Sequence, residues 1–419
     1  MKFTLPTIAL LFACATSVVA RPANPHQLSK RADSFDSTET LLLNYALALE
    51  HLENAFYIGA LRRFNQGAFA AAGYNPFARG RFVQIQEHEQ AHVELLSQAL
   101  GANATKPCNY TFPYNNVQSF AALSQLLEGV GTSAYIGALK NITAPDFVSV
   151  AASILSTEAR HAAWVAAVPN KFAPWSGPFD TALTPNQTFT LAKSFIVDCP
   201  AENPPLNLNA FPTLNVSRGF PGTNVTFTFD SSLANSAASN SGGGNGTQLY
   251  AVFFTGLVKE FVPLVGRDGS PLIVGGSSSG GGGNSTTASP TSTTQSIVTV
   301  TNSSSTMSPT SAASSTTSAE TSANSTATSS DTSSATSTSS SASSTTTSVP
   351  ASSTTAGAST PSSSVLTGTA TVPQGIKGQV YAIVASNGTV ATDDTTVAGP
   401  AVLIYEFGSN GNITRQSSP

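Results

Sequence analysis

The chain has 419 residues, and charged side chains make up only 10% of them, against about 25% in an average globular protein. With a net charge of −4, it lacks the electrostatic surface expected of a protein that binds nucleic acid or an anionic membrane.

The N-terminus gives the first constraint. Met1 and Lys2 precede an apolar run over 3–19 that closes on the small-residue site Val18-Val19-Ala20, which predicts a secretory signal peptide at 1–20. The run falls short of the roughly 20 uninterrupted apolar residues that a spanning helix needs, and no later stretch approaches that length. The polar residues 412–419 lack the hydrophobic tail of a glycolipid anchor, so a soluble extracellular protein is expected. Leu28-Ser29-Lys30-Arg31 presents a dibasic processing site, which makes 21–31 a propeptide and starts the mature chain near Ala32. Of the three cysteines, Cys14 leaves with the signal peptide, and Cys108 and Cys199 are expected to pair in an oxidising compartment. Asn-x-Ser/Thr sequons at Asn103, Asn109, Asn141, Asn186, Asn215, Asn224, Asn245, Asn387 and Asn412 agree with a glycosylated, secreted life, with the cell wall as one destination.

Residues 32–199 read as a helical domain. The periodicity predicts long helices over about 38–64, 81–100, 117–140 and from 143 onward. Asp36 and Glu39 are spaced as a cap pair for the first, Gly101 stops the second, Asn116 precedes the third, and Thr143 with Pro145 and Asp146 suits the start of the fourth. The middle connection, over 102–115, holds Cys108 and suggests two helical hairpins joined by a crossover. The hairpins resemble each other: Leu49-Glu50 and Tyr57-Ile58-Gly59-Ala60-Leu61 recur 78 positions later as Leu127-Glu128 and Tyr135-Ile136-Gly137-Ala138-Leu139. A fifth, weaker helical stretch is expected over 184–197.

From Pro200 the pattern changes to alternating apolar residues broken by Gly, Asn and Pro. Strands are expected at 225–229, 250–254, 380–384 and 401–407, forming one small β-sandwich from 200–274 and 365–419. Between them, 275–364 is a Gly/Ser and then Ser/Thr tract whose composition cannot bury a core, so it reads as a disordered, O-glycosylated insertion.

Chemistry concentrates in the helices. Glu89 with His92, and Glu158 with His161, are two Glu-x-x-His pairs, each on one face of its helix. A two-metal carboxylate bundle needs that face, plus one inward Glu from each of the other two helices. Glu50 and Glu128 meet this need at equivalent points of the repeat. Glu128 is the only acid of its helix and sits among Leu123, Leu126, Leu127 and Val130, where an unpaired carboxylate is costly and a metal would neutralise it. Glu53, three residues on from Glu50, is the alternative ligand, though the repeat favours Glu50. One decoy is His88-Glu89-Gln90-Ala91-His92, which matches the zinc-protease helix. Its extended form requires Gly at Leu95 and His at Gln98, and its other form requires an acid about twenty residues downstream. No Asp or Glu lies between Glu94 and Glu128, and a protease would leave Glu50, Glu128, Glu158 and His161 without a role.

With these motifs the chain resembles the fungal secreted ferritin-like proteins described as stress-response or late-sexual-development proteins, relatives of plant desiccation-related proteins. The closing Thr396-Val397-Ala398-Gly399-Pro400-Ala401-Val402-Leu403 resembles the ending of that family, and the long Ser/Thr insertion departs from it. The resemblance implies an α+β multidomain protein, in which a ferritin-like four-helix bundle is followed by a small immunoglobulin-like β-sandwich. It also implies a site for two iron ions, or manganese, carried over to Glu50, Glu89, His92, Glu128, Glu158 and His161. It implies no defined reaction. Two functions compete: an enzyme that uses oxygen or peroxide at two metal ions, and a non-catalytic glycoprotein with a vestigial site that contacts cell-wall polysaccharide.

Overall fold

Residues rich in Leu, Ala and Tyr form the first long helix, α1 (Ser37–Arg63), which turns Leu43, Leu47, Leu52 and Phe56 inward together with Glu50 and Glu53. The computed structural model describes residues 37–230, 234, 246–275 and 365–417. The expected signal peptide, propeptide, Asp36 and the Ser/Thr-rich tract from 276 onward lie outside the described residues.

The link after α1 holds an additional short helix, α2 (Gln66–Ala71), capped by the Asn65 side chain, which accepts from the Ala68 amide. Next come α3 (Ala78–Leu100), α4 (Val117–Leu139) and α5 (Pro145–Ala167). α3 stops at Gly101, whose φ of 56° is a backbone conformation that glycine adopts without strain. α4 begins with a reciprocal cap, the Asn116 side chain accepting from the Ser119 amide while Ser119 Oγ accepts from the Asn116 amide. The start of α5 departs from expectation: Ala144, not Thr143, is the cap residue. Glu39 of α1 does the capping, accepting from the Ala144 amide at 2.8 Å and from Thr143 Oγ1 at 2.7 Å. A carboxylate suits that position because it also meets the positive end of the helix dipole.

α1 packs on α3, α4 packs on α5, and α1 meets α4 between the hairpins. The expected fifth helix is shorter than its sequence pattern. α6 (Pro185–Ala192) gives way to a 3₁₀ turn at Lys193–Phe195 and then to strand β2 (Ile196–Asp198). β2 pairs antiparallel with β1 (Asn109–Tyr110) of the crossover, beside the Cys108–Cys199 disulfide. The β-branched Ile196 and Val197 thus join a strand pair whose partner is remote in sequence. Among the described residues no helix is long and apolar enough to cross a membrane.

The strand-rich region contains β3 (Leu214–Val216), β4 (Asn224–Asp230), β5 (Thr247–Gln248), β6 (Tyr250–Thr255), β7 (Val258–Pro263), β8 (Ile273–Val274), β9 (Val365–Thr371), β10 (Gly378–Ala385), β11 (Thr396–Phe407) and β12 (Ile413–Ser417). β12-β11-β10-β6-β7 form a five-stranded sheet, β3-β4-β9 a three-stranded one, and β5 pairs with β8. β10 pairs with β6 and β9 with β4, so strands from both sides of the Ser/Thr tract complete each of the two larger sheets.

The five-stranded sheet is buried on both faces. Ala251, Phe253, Val380, Ala382 and Val384 meet Leu214, Val225, Phe227 and Phe229 of the three-stranded sheet. The alternate residues Val252, Phe254, Tyr381, Ile383, Val402 and Ile404 join the core of the helical bundle. This double burial explains why β6, β10 and β11 read as nearly continuous apolar runs. α4 admits its neighbours through small residues one turn apart. A Cβ on Gly137 would lie 1.7 Å from the Leu183 carbonyl oxygen and one on Gly129 2.5 Å from the Gln379 side chain, while Ser133 Oγ lies 2.9 Å from Tyr381 Oη.

Candidate metal centre

The four long helices bring the six predicted residues together at mid-bundle. An aromatic cluster around Phe56, Phe82 and Phe120 fills one end, and Leu47, Val93, Leu96 and Phe147 fill the other. Glu50, Glu89, Glu128 and Glu158 are fully buried and His161 is 5% exposed. Their ligand atoms form two overlapping groups, Glu50/Glu89/His92/Glu158 and Glu89/Glu128/Glu158/His161, with all atoms of a group within 4.8 Å of one another. Glu89 and Glu158 belong to both groups. Each Glu-x-x-His helix thus contributes one carboxylate shared by the two groups and one imidazole that belongs to a single group, while α1 and α4 each contribute one carboxylate to a single group.

The distances follow the same division. His92 Nδ1 lies 3.1 Å from Glu50 Oε2, 3.2 Å from Glu89 Oε2 and 3.2 Å from Glu158 Oε1. His161 Nδ1 lies 3.0 Å from Glu89 Oε1 and 3.3 Å from Glu128 Oε2. Despite this crowding, Glu89 Oε1, Glu128 Oε2, both Glu158 carboxylate oxygens and His161 Nδ1 are buried without a hydrogen-bond partner. Such atoms are costly to leave unsatisfied, and a cation among them removes the cost. The residues present therefore fit a metal pair, and four carboxylates balance two divalent ions.

Electrostatics express the same frustration. Burial, then the charges of Glu89 and Glu128, raise the Glu158 carboxyl well above the ordinary range. Burial also raises Glu89, though contacts with His161 and His92 offset part of the shift. Burial opposes the charged form of His161, but Glu128 and Glu89 outweigh it and push the imidazole up to about 11. His92 is likewise raised, its burial outweighed by Glu158, Glu50 and Glu89.

Two tyrosines complete the arrangement. Tyr57 of α1 donates to Glu128 Oε1 on α4, and Tyr135 of α4 donates to Glu50 Oε1 on α1. Each terminal carboxylate thus has one oxygen held by a tyrosine of the opposite hairpin and the other facing the histidine cluster. These tyrosines are repeat equivalents, each seven residues after its own helix's Glu. The repeat contained this signal, but sequence alone could not show that the contacts cross between helices. Outer partners of this kind orient ligands. His88, the extra histidine of the protease-like motif, turns its Nδ1 to within 2.9 Å of His161 Nε2, with the two rings stacked.

The alternative ligand Glu53 is also buried, but it does not replace Glu50, whose oxygens already face Tyr135 and His92. Burial, then the charges of Glu158, Glu89, Glu50 and Glu128, raise its carboxyl well above the ordinary range. On the opposite side of the bundle, an open cleft of about 750 Å³ between α3 and α5 is lined by His88, His92, His161, Arg81, Arg160 and Trp164, among others. It approaches the cluster over the imidazoles.

Comparison with known proteins agrees with this geometry. Residues 38–171, which hold all six side chains, match the family model described as Ferritin-like domain. The helical region is ferritin-like. A curated relative, Protein rds1 of Schizosaccharomyces pombe (strain 972 / ATCC 24843), is 29% identical over 184 residues, covering 44% of this chain and 46% of that protein. The chain thus spans about half the length of the curated relative that it matches. In this ferritin-like region the buried Glu/His cluster is a candidate metal centre.

Proposed function

We propose that the ferritin-like region holds a di-iron carboxylate centre, with manganese the alternative, and that the secreted protein uses it to consume oxygen or peroxide during stress or development. The observation that carries this reading is the pair of overlapping ligand groups sharing Glu89 and Glu158, with buried, unsatisfied oxygens turned toward a common interior. Glu50 with His92, and Glu128 with His161, would each hold one of the two ions. Four carboxylates and two imidazoles form a hard donor set that suits iron or manganese better than copper or zinc.

Such a metal pair, when bound, supplies redox chemistry toward dioxygen or peroxide. Tyr57 and Tyr135 fix the terminal carboxylates. His161 can offer Nδ1 as a ligand only with its proton on Nε2, where it donates to His88 Nδ1, so His88 selects the tautomer. The cleft between α3 and α5, lined by His92 and His161, offers a small oxidant a route to the centre. The test is oxygen and peroxide consumption by protein loaded with ferrous or manganous ion. Wild type is expected to turn over either oxidant, and Glu158→Gln to lose that activity. Equal rates in both would refute the assignment.

Secretion, a glycosylated Ser/Thr-rich insertion and an immunoglobulin-like sandwich belong to the same reading. The disulfide supports an oxidising compartment, and among the described sequons every asparagine except Asn186 is exposed. Asn186 instead donates to Asp393 and accepts from the Asn209 amide. The exposed sequons also favour the second reading, a sugar-coated wall or spore glycoprotein with a vestigial centre.

A further inference from the structure

Among the positions where the two hairpins differ, one borders the metal centre. Seventy-eight residues after Glu53 stands Gly131, just as Glu128 follows Glu50 and Tyr135 follows Tyr57. Glu53 on α1 projects into the space that Gly131 leaves open on α4: a Cβ at Gly131 would lie 2.8 Å from Glu53 Oε1 and 3.4 Å from Glu158 Oε2. Both carboxylates border this gap, with Glu53 just outside the two overlapping groups formed by the other six side chains. Glu53 is 4% exposed, and no hydrogen bond or ion pair satisfies it among the described residues. Its other side lines a narrow space of about 20 Å³ whose remaining walls include Leu52, Leu127, Val130 and Phe195. A carboxylate buried between hydrocarbon and four other carboxylates has no compensation from the protein itself.

We propose that Glu53 is a seventh ligand of the metal pair, a fifth carboxylate that approaches from the α1/α4 side through the gap at Gly131, opposite the cleft. This rests on the metal-centre reading above. Four carboxylates neutralise two divalent ions, and the fifth adds one negative charge, so the centre stabilises a pair in which at least one ion is trivalent. The donor set then selects metals that can leave the divalent state, as iron and manganese can and zinc cannot. Glycine at 131 is required because any side chain would displace the Glu53 carboxylate.

The test titrates metal-free wild type, Glu53→Gln, Gly131→Ala and Glu50→Gln anaerobically with manganous ion, following free ion by electron paramagnetic resonance. It then measures the midpoint potential of the iron-loaded forms. Wild type should bind two ions per chain and Glu50→Gln fewer. Glu53→Gln and Gly131→Ala should still bind two, with affinity lowered about tenfold or more and a raised potential, and the two variants should match. If both equal wild type while Glu50→Gln loses metal, Glu53 is not a ligand and the centre stands without it. If wild type binds no metal, the centre itself fails, and this proposal with it. Circular-dichroism melts of the metal-free variants check folding, and failure of both to fold would make Glu53 structural and overturn the proposal.

Discussion

The two cores of the molecule are built on opposite terms. Between the two larger sheets, Phe227 and Phe253 meet edge to face at 5.9 Å in a setting of Val, Leu and Ala side chains. At the middle of the helical bundle, five carboxylates and two imidazoles occupy a comparable interior, several of their atoms without partners. The contrast teaches that burial by itself does not report stabilisation. The strand-rich core holds the chain together, while the centre of the bundle is expensive until a cation fills it.

The sharpest way to break this comparison is one substitution in each core. Phe253→Ala should destabilise the metal-free protein by about 3–5 kcal/mol, through lost burial and the cavity left behind. Glu158→Gln, though equally buried, should leave its denaturant midpoint unchanged or raised, because it removes one of several crowded charges. A large loss for Glu158→Gln in metal-free protein would mean that the cluster stabilises the fold unaided.

Next in size is the disulfide, which links residues 91 apart and ties the crossover to the segment that leaves the bundle. Replacing Cys108 and Cys199 by Ser should cost about 2–5 kcal/mol, read as a lower thermal midpoint, without changing metal stoichiometry. Loss of metal in that variant would show that the crossover helps to shape the centre.

A subtler test compares the two hairpins. Tyr57→Phe and Tyr135→Phe each remove one donor to a terminal carboxylate, and each should weaken metal binding by about 10- to 100-fold. Because the two contacts are reciprocal, the losses should be similar, as measured by metal titration. A marked asymmetry would show that the two metal positions are held differently.

The buried Glu/His cluster was legible in the sequence because helical spacing puts Glu89 with His92, and Glu158 with His161, on single faces, and because the repeat identifies Glu50 and Glu128. The strands at β4, β6, β10 and β11 were legible from their apolar runs. What escaped depends on contacts between elements remote in sequence. Glu39 resembles a cap for its own helix, yet it caps α5. Ile196 and Val197 extend a helical pattern but pair with Asn109 and Tyr110 beside the disulfide. Tyr57, Tyr135 and His88 gain meaning only when helices cross, and Gly131 looks like an ordinary small residue until Glu53 is seen to fill its space.

The central claim is that the ferritin-like region carries two metal ions at Glu50, Glu89, His92, Glu128, Glu158 and His161. Elemental analysis of protein purified from its own host, before and after anaerobic loading with ferrous or manganous ion, tests it most directly. The account predicts two iron or manganese ions per wild-type chain and a clear deficit in Glu128→Gln. A wild-type chain that holds no metal after loading would contradict it and leave the vestigial glycoprotein reading in its place.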